Sequence, residues 1–191
     1  ALWWALRAVM ARHESLRTVF PETLGVPRQM ILEAGWCGAG LLVERVGRDA
    51  VAAALSSAVG VGFDLSRQVP LRAHLFEVSE DEHVLLLVLH HIAGDGWSLG
   101  PLWRDLSRCY EARRRGVAAA LPALSVQYAD YTLWQRAVLG DEGDPDSVLG
   151  RQLSFWQQAL AGLADRIDLP FDRPRPAVSS HRGGHVPLSI D

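Results

Sequence analysis

The 191-residue chain contains no lysine and no asparagine, and all 19 of its basic residues are arginine. The codons for both missing residues are adenine-rich, so their absence points to a GC-rich bacterial genome more than to any property of the fold. Cysteine is nearly absent: Cys37 and Cys109 are the whole supply, which excludes a disulfide framework and makes no zinc pattern. No apolar run approaches the ~20 residues that a membrane span needs, and no signal peptide is visible. There is no excess of positive charge either. With 22 acidic residues and a net charge of −3, neither nucleic acid nor an anionic membrane is expected as a partner. What is present, 49% hydrophobic and 8% aromatic residues, suffices for a substantial single core. The cytoplasm is the default location.

Leu89-His90-His91-Ile92-Ala93-Gly94-Asp95-Gly96-Trp97-Ser98 carries the most information. The apolar run from Val84 to Leu89 follows the polar turn Ser79-Glu80-Asp81-Glu82, so it reads as a buried strand entered from a hairpin. Ser98 is expected to cap a helix whose apolar positions Leu99, Leu102, Leu106 and Tyr110 recur at helical spacing. Histidines and aspartate are metal-ligand types, but neighbouring strand residues point to opposite faces, so His90 and His91 cannot share an ion unless the strand has already ended. No metal is expected. Taken alone, adjacent histidines fit a hydrogen-bonded structural pair better than a catalytic one. Gly94 and Gly96 shift that balance, because they let the backbone turn sharply and approach a ligand, while Asp95 can hold an arginine or the loop amides.

The remaining pattern alternates strands and helices. Helix is expected from the first residue to about Thr18, with Pro21 beyond it, then strands over 28–33 and 41–46. A helix over 49–58 should turn Val51, Leu55 and Ala58 inward and stop at Gly60-Val61-Gly62. A hairpin joins 71–78 to 83–91, and helices cover 99–115 and 147–160. Residues 117–122 read as an alanine-rich linker. Proline excludes helix from 169–180, which should run over the surface, and 186–190 is a candidate last strand. Tyr128, Tyr131 and Trp134, three apart, are expected to face a core. The chain already reads as helix interior at Ala1, so it is expected to be a piece of a longer protein.

Three segments resemble one family. His90-His91-Ile92-Ala93-Gly94-Asp95-Gly96 matches the HHxxxDG signature of the condensation domains of nonribosomal peptide synthetases. Arg12 to Phe20 is similar to that family's RHExLRTxF motif, and Tyr128 to Trp134 to its YxDYAxW motif, with Thr132 where alanine is usual. The resemblance implies a chloramphenicol-acetyltransferase-like fold, an α/β layered sandwich with a mixed sheet and flanking helices. Residues 1–191 would then be its N-terminal subdomain, incomplete at both ends and inactive alone without the C-terminal subdomain.

The activity implied is amide formation between a donor acyl or peptidyl thioester and an acceptor aminoacyl thioester. Both ride on the 4′-phosphopantetheine of donor and acceptor carrier domains, with no cofactor bound directly. The resemblance marks His91 as the catalytic histidine, and imidazole, titrating near ~6.5, suits proton removal from the intermediate's ammonium. Gly96 is expected to present its N–H to the oxyanion. His90, Asp95, Arg12 and Arg17 would support the site, Asp95 pairing with Arg12, Arg17 or Arg72, and Trp97 and Ser98 are candidates for the substrate tunnel. Alternatives within the fold are an epimerisation domain and a non-catalytic recruitment module. Heterocyclisation domains replace the histidines with aspartates, and a free-standing coenzyme A acyltransferase would need a self-sufficient chain.

Overall fold

The computed structural model describes residues 1–35, 40–167, 169–180 and 183–190. Cys37 lies outside them. The chain forms two compact units, residues 1–139 and 140–191.

The first unit is built on a three-stranded mixed sheet. Strands β5 (Leu41–Arg45), β6 (Leu71–Glu77) and β7 (His83–Leu89) lie in that order, with β5 parallel to β6 and β6 antiparallel to β7. The polar turn expected between the last two is closed by the Val78 and Ser79 N–H groups, both donating to Glu82 O. Because side chains alternate along a strand, Leu71 and Ala73 share one face of β6. That face belongs to a core with Ala5, Leu6, Val9 and Met10 of helix α1 (Leu2–Arg12) and Leu102, Leu106 and Cys109 of helix α3 (Gly96–Arg114). Helix α2 (Val51–Val59) turns Val51, Leu55 and Ala58 to its less exposed side as expected, though none is fully buried. These elements make the expected mixed α/β architecture.

Several expectations are corrected. Helix α1 stops at Arg12, not near Thr18, because His13 is extended (φ −103°, ψ 104°) and a 3-10 turn (Glu14–Arg17) follows. Strand 28–33 shrinks to β4 (Met30–Ile31), paired with β1 (Thr18–Val19). Between them a tight hairpin joins β2 (Glu22–Thr23) to β3 (Val26–Pro27). Its two turn residues, Leu24 and Gly25, have φ of 54° and 77°, a conformation asparagine-glycine usually announces, so leucine hid it. Helix α3 begins three residues before Leu99, capped by Asp95, and Ser98 is its third residue. Its buried stripe is Leu102, Asp105, Leu106 and Cys109, while Leu99 and Tyr110 stay exposed. Tyr128, Tyr131 and Trp134 lie on α4 (Tyr128–Leu139) and are exposed, stacking on one another with 5.8 Å between successive rings.

In the second unit, α5 (Val148–Ala159) is capped by Ser147, whose Oγ accepts from the Gly150 N–H at 2.8 Å. Residues 169–180 carry neither helix nor strand and are exposed, as proline demands. Residues 186–190 form no strand and pair with none among the described residues.

Candidate active site

Strand β7 ends on the Leu71–Leu89 pair, and one further ladder bond, His90 N–H to Pro70 O at 2.9 Å, carries the backbone to the turn. There the two histidines part. The half-buried His90 accepts the Ile92 N–H on Nδ1 at 3.1 Å, and its carbonyl accepts the Ala93 N–H at 3.0 Å. Its ring stands edge-on to Phe63, centroids 5.8 Å apart. His90 is thus consumed in shaping the turn, whereas His91, one residue on, projects into the open. The strand has ended before His91, but no group of side chains able to hold a metal forms among the described residues.

The two glycines also differ. A Cβ on Gly94 would meet Ser98 Cβ at 3.0 Å and Leu89 Cδ2 at 3.1 Å, so a side chain there would push on the packing of the turn. A Cβ on Gly96 would meet nothing within 4 Å, so no contact in the described chain demands glycine there. Between them Asp95 does not pair with an arginine, contrary to expectation. Its Oδ1 accepts from the Ser98 N–H at 3.0 Å and Oγ at 2.8 Å, and Ser98 Oγ accepts the Asp95 N–H at 3.0 Å. This reciprocal capping box closes the first turn of α3. The Ser98 hydroxyl holds the Asp95 carboxyl below its ordinary range. Gly96, the first helical residue, keeps its N–H at the positive end of the helix, unbonded among the described residues.

The three arginines that sequence offered to Asp95 have other partners. Arg12 Nε and His13 Nε2 both donate to Asp105 Oδ2 at 2.9 Å, and Arg12 also donates to Pro122 O. Arg17 holds Leu32 O and Glu14 Oε1; Arg72 holds Val61 O and Gly62 O. Asp105, only 2% exposed, is the residue sequence reading missed. Burial raises its carboxyl pKa, but the hydrogen bonds and charges of His13 and Arg12 outweigh this and leave it lowered. The available signal was a carboxylate on the apolar stripe between Leu102 and Leu106, a position that requires a cationic partner. Gln127 was missed too: its amide accepts the Glu14 N–H at 3.2 Å and donates to Arg12 O at 2.9 Å, tying α4 to the end of α1. Asp130 accepts the Gln127 N–H at 2.8 Å and caps α4.

These ties bring the three motifs together. A cavity of about 230 Å³ is lined by Glu14, Ser15, Thr18 and Phe20 of the first, Ile92 of the second, and Tyr128 and Ala129 of the third. A second, of about 200 Å³, lies on His13, Ser15, Leu16, Leu89, Ala93, Ser98, Pro101 and Leu102. Ser98 therefore lines a cavity, while Trp97, 89% exposed, lines neither.

The family model for the condensation domain matches residues 1–191. The chain is 52% identical over its full length to a probable non-canonical nonribosomal peptide synthetase, CymA, of Salinispora arenicola, of which it covers 2%. It is 48% identical over 97% of its length to the isonitrile lipopeptide synthase of Mycobacterium tuberculosis, covering 8% of it. Among solved structures it resembles the X-domain from teicoplanin biosynthesis in complex with OxyB, with a TM-score of 0.85 and 41% identity over 95% of this chain and 39% of that one. No helix among the described residues is long and apolar enough to cross a membrane. With its three motifs gathered at one cavity and the family model matched from end to end, the chain belongs to the condensation-domain family of nonribosomal peptide synthetases.

Proposed function

We propose that this chain supplies the histidine-bearing half of a peptide-forming site working in the cytoplasm, where an acceptor α-amine attacks a donor thioester, both held on the phosphopantetheine arms of carrier domains. The observation that carries the reading is the cavity shared by the three motifs beside the His91 turn. The chain spans 39% of the X-domain chain it resembles, and the remaining wall of the site is assigned to a second subdomain of the parent protein.

A free α-amine has a pKa of about 8, so a useful fraction is neutral at cytoplasmic pH. After attack the nitrogen is strongly acidic and the carbonyl oxygen anionic. His91 takes the proton from nitrogen, and the Gly96 N–H, aided by the dipole of α3, donates to the oxyanion. As the tetrahedral intermediate collapses, the C–S bond breaks and the donor thiolate leaves, picking up a proton to become the free phosphopantetheine thiol. The new amide stays on the acceptor carrier. His90 and Asp95 never touch substrate; they fix the turn and the helix start between which His91 and Gly96 are held.

The test uses the parent synthetase with one donor-loaded and one acceptor-loaded carrier, following dipeptidyl thioester by intact-protein mass spectrometry. Product on the acceptor carrier that disappears in His91→Ala is expected. Product that persists in His91→Ala removes the catalytic role of His91. No product from loaded carriers and folded protein overturns condensation and favours recruitment of another protein, a reading supported by the 41% identical X-domain solved in complex with OxyB.

A further inference from the structure

Phe63 lies outside all three motifs, yet it touches the turn from which His91 projects. Its half-buried ring has the Arg72 guanidinium over one face, 4.1 Å from the centroid, and meets the His90 ring edge-on at 5.8 Å. Arg72 also donates to the carbonyls of Val61 and Gly62, the two residues that lead into Phe63. The loop is braced on its other side as well. Asp64 Oδ1 accepts from the Ser66 N–H and hydroxyl, Gln68 bonds both backbone groups of Asp64, and Leu65 O accepts the Phe20 N–H at 2.7 Å. Phe63 is thus a ring mounted on a stiff loop. His90 rests against it, and the Nδ1 of that same histidine receives the Ile92 N–H.

From this unbroken series of contacts we propose that Phe63, seated by Arg72, is a positioning residue for the reaction: it sets the His90 ring plane and through it the turn that aims His91. The physical basis is directional. An edge-to-face contact fixes the angle between two rings, and the Arg72 cation over the Phe63 ring helps hold that ring in its orientation. A rotation of His90 displaces the acceptor of the Ile92 N–H, so the backbone on either side of His91 moves with it. Arg72, which sequence reading offered to Asp95, finds its function here.

The role in the reaction rests on the condensation reading above, whereas the mechanical coupling does not, so two readouts are taken on the parent synthetase. Hydrogen exchange by mass spectrometry reads the peptide covering residues 90–94, and steady-state dipeptide formation gives kcat and KM for the loaded acceptor carrier. Phe63→Leu keeps apolar bulk and loses the ring; Phe63→Tyr restores it. The expected result for Phe63→Leu is faster exchange confined to 90–94 and a kcat lowered roughly ten- to hundred-fold with KM unchanged, since misplacement by about 1 Å can cost 10²-fold. Phe63→Tyr should recover both, and Arg72→Lys should fall between. Unchanged exchange at 90–94 overturns the coupling. Faster exchange with unchanged kcat overturns the role in the reaction, and exchange that rises equally in α1 and α3 reduces Phe63 to ordinary packing and overturns the proposal. If the wild type itself makes no dipeptide, the condensation reading fails, and the exchange data alone decide whether Phe63 sets the turn.

Discussion

The first motif, residues 12–20, and the histidine turn, residues 90–98, both carry several polar side chains and dispose of them in opposite ways. In the first, Arg12, His13, Glu14, Arg17 and Thr18 all turn onto the protein itself, and three of them reach Asp105 or Leu32 across long stretches of chain. In the second, the side chains of His90, Asp95 and Ser98 make their hydrogen bonds only within their own turn, and His91, Gly96 and Trp97 are left facing outward. The contrast suggests a division of labour: side chains bonded across the chain fasten the fold, while His91, the catalytic histidine of the reading proposed above, is one that the fastening leaves over.

Substitutions test this separation. The largest effect is expected from His91→Ala, which should lower dipeptide formation by about 10²–10⁴-fold, the usual worth of a general acid–base group, with an unchanged melting curve. A parallel loss of stability would place His91 with the fastening groups instead. Asp105→Ala inverts this outcome. Removing the buried Asp105 carboxylate should cost about 1–3 kcal/mol, because Arg12 and His13 lose their shared acceptor but, at 15% and 22% side-chain exposure, still meet some water. Chemical denaturation should show it, and a loss below about 1 kcal/mol would mean the cluster contributes little cohesion.

The glycines sharpen the comparison within a single turn. Gly94→Ala should lower the melting temperature, since its Cβ meets Ser98 and Leu89 at 3.0–3.1 Å. Gly96→Ala should leave melting unchanged and slow product formation, since space there is free of the chain's own atoms. Equal behaviour of the two variants would erase the distinction between packing and function at this turn. The smallest effect is on acid stability. The folded pKa of Asp105 lies below its ordinary 3.8, so its contribution is fully present above that value and is lost as pH falls through the depressed one. Melting temperature followed downward from about pH 4 should fall less steeply for Asp105→Asn than for wild type.

Periodicity made the β6–β7 hairpin, α2, α3 and α5 legible, because each has a continuous apolar stripe or run bounded by turn residues. It failed where a side chain from elsewhere decides the backbone. Helix α1 continues in pattern to Thr18, yet stops at Arg12 because His13 swings out to Asp105, a partner no local window contains. The start of α3 was misread for a related reason. Asp95 and Ser98 are both good caps, and only the observed reciprocal bonds choose between them. Tyr128, Tyr131 and Trp134 carry the spacing of a buried stripe, and spacing records that residues share a face without recording what covers that face. At the turn, residue types announced Asp95 as a holder of loop amides and the family resemblance alone marked His91, while Phe63 carries no signal in the sequence, since a phenylalanine after Gly60-Val61-Gly62 reads as core.

The bond between Arg12 and Asp105 spans 93 residues, and during synthesis that separation becomes a delay. At roughly 5–20 residues per second, on the order of 5–20 s passes between the emergence of α1 and that of the carboxylate that fastens it. Throughout that interval Ala5, Leu6 and Val9 have no α3 to cover them, so α1 is made well before its apolar face can be buried.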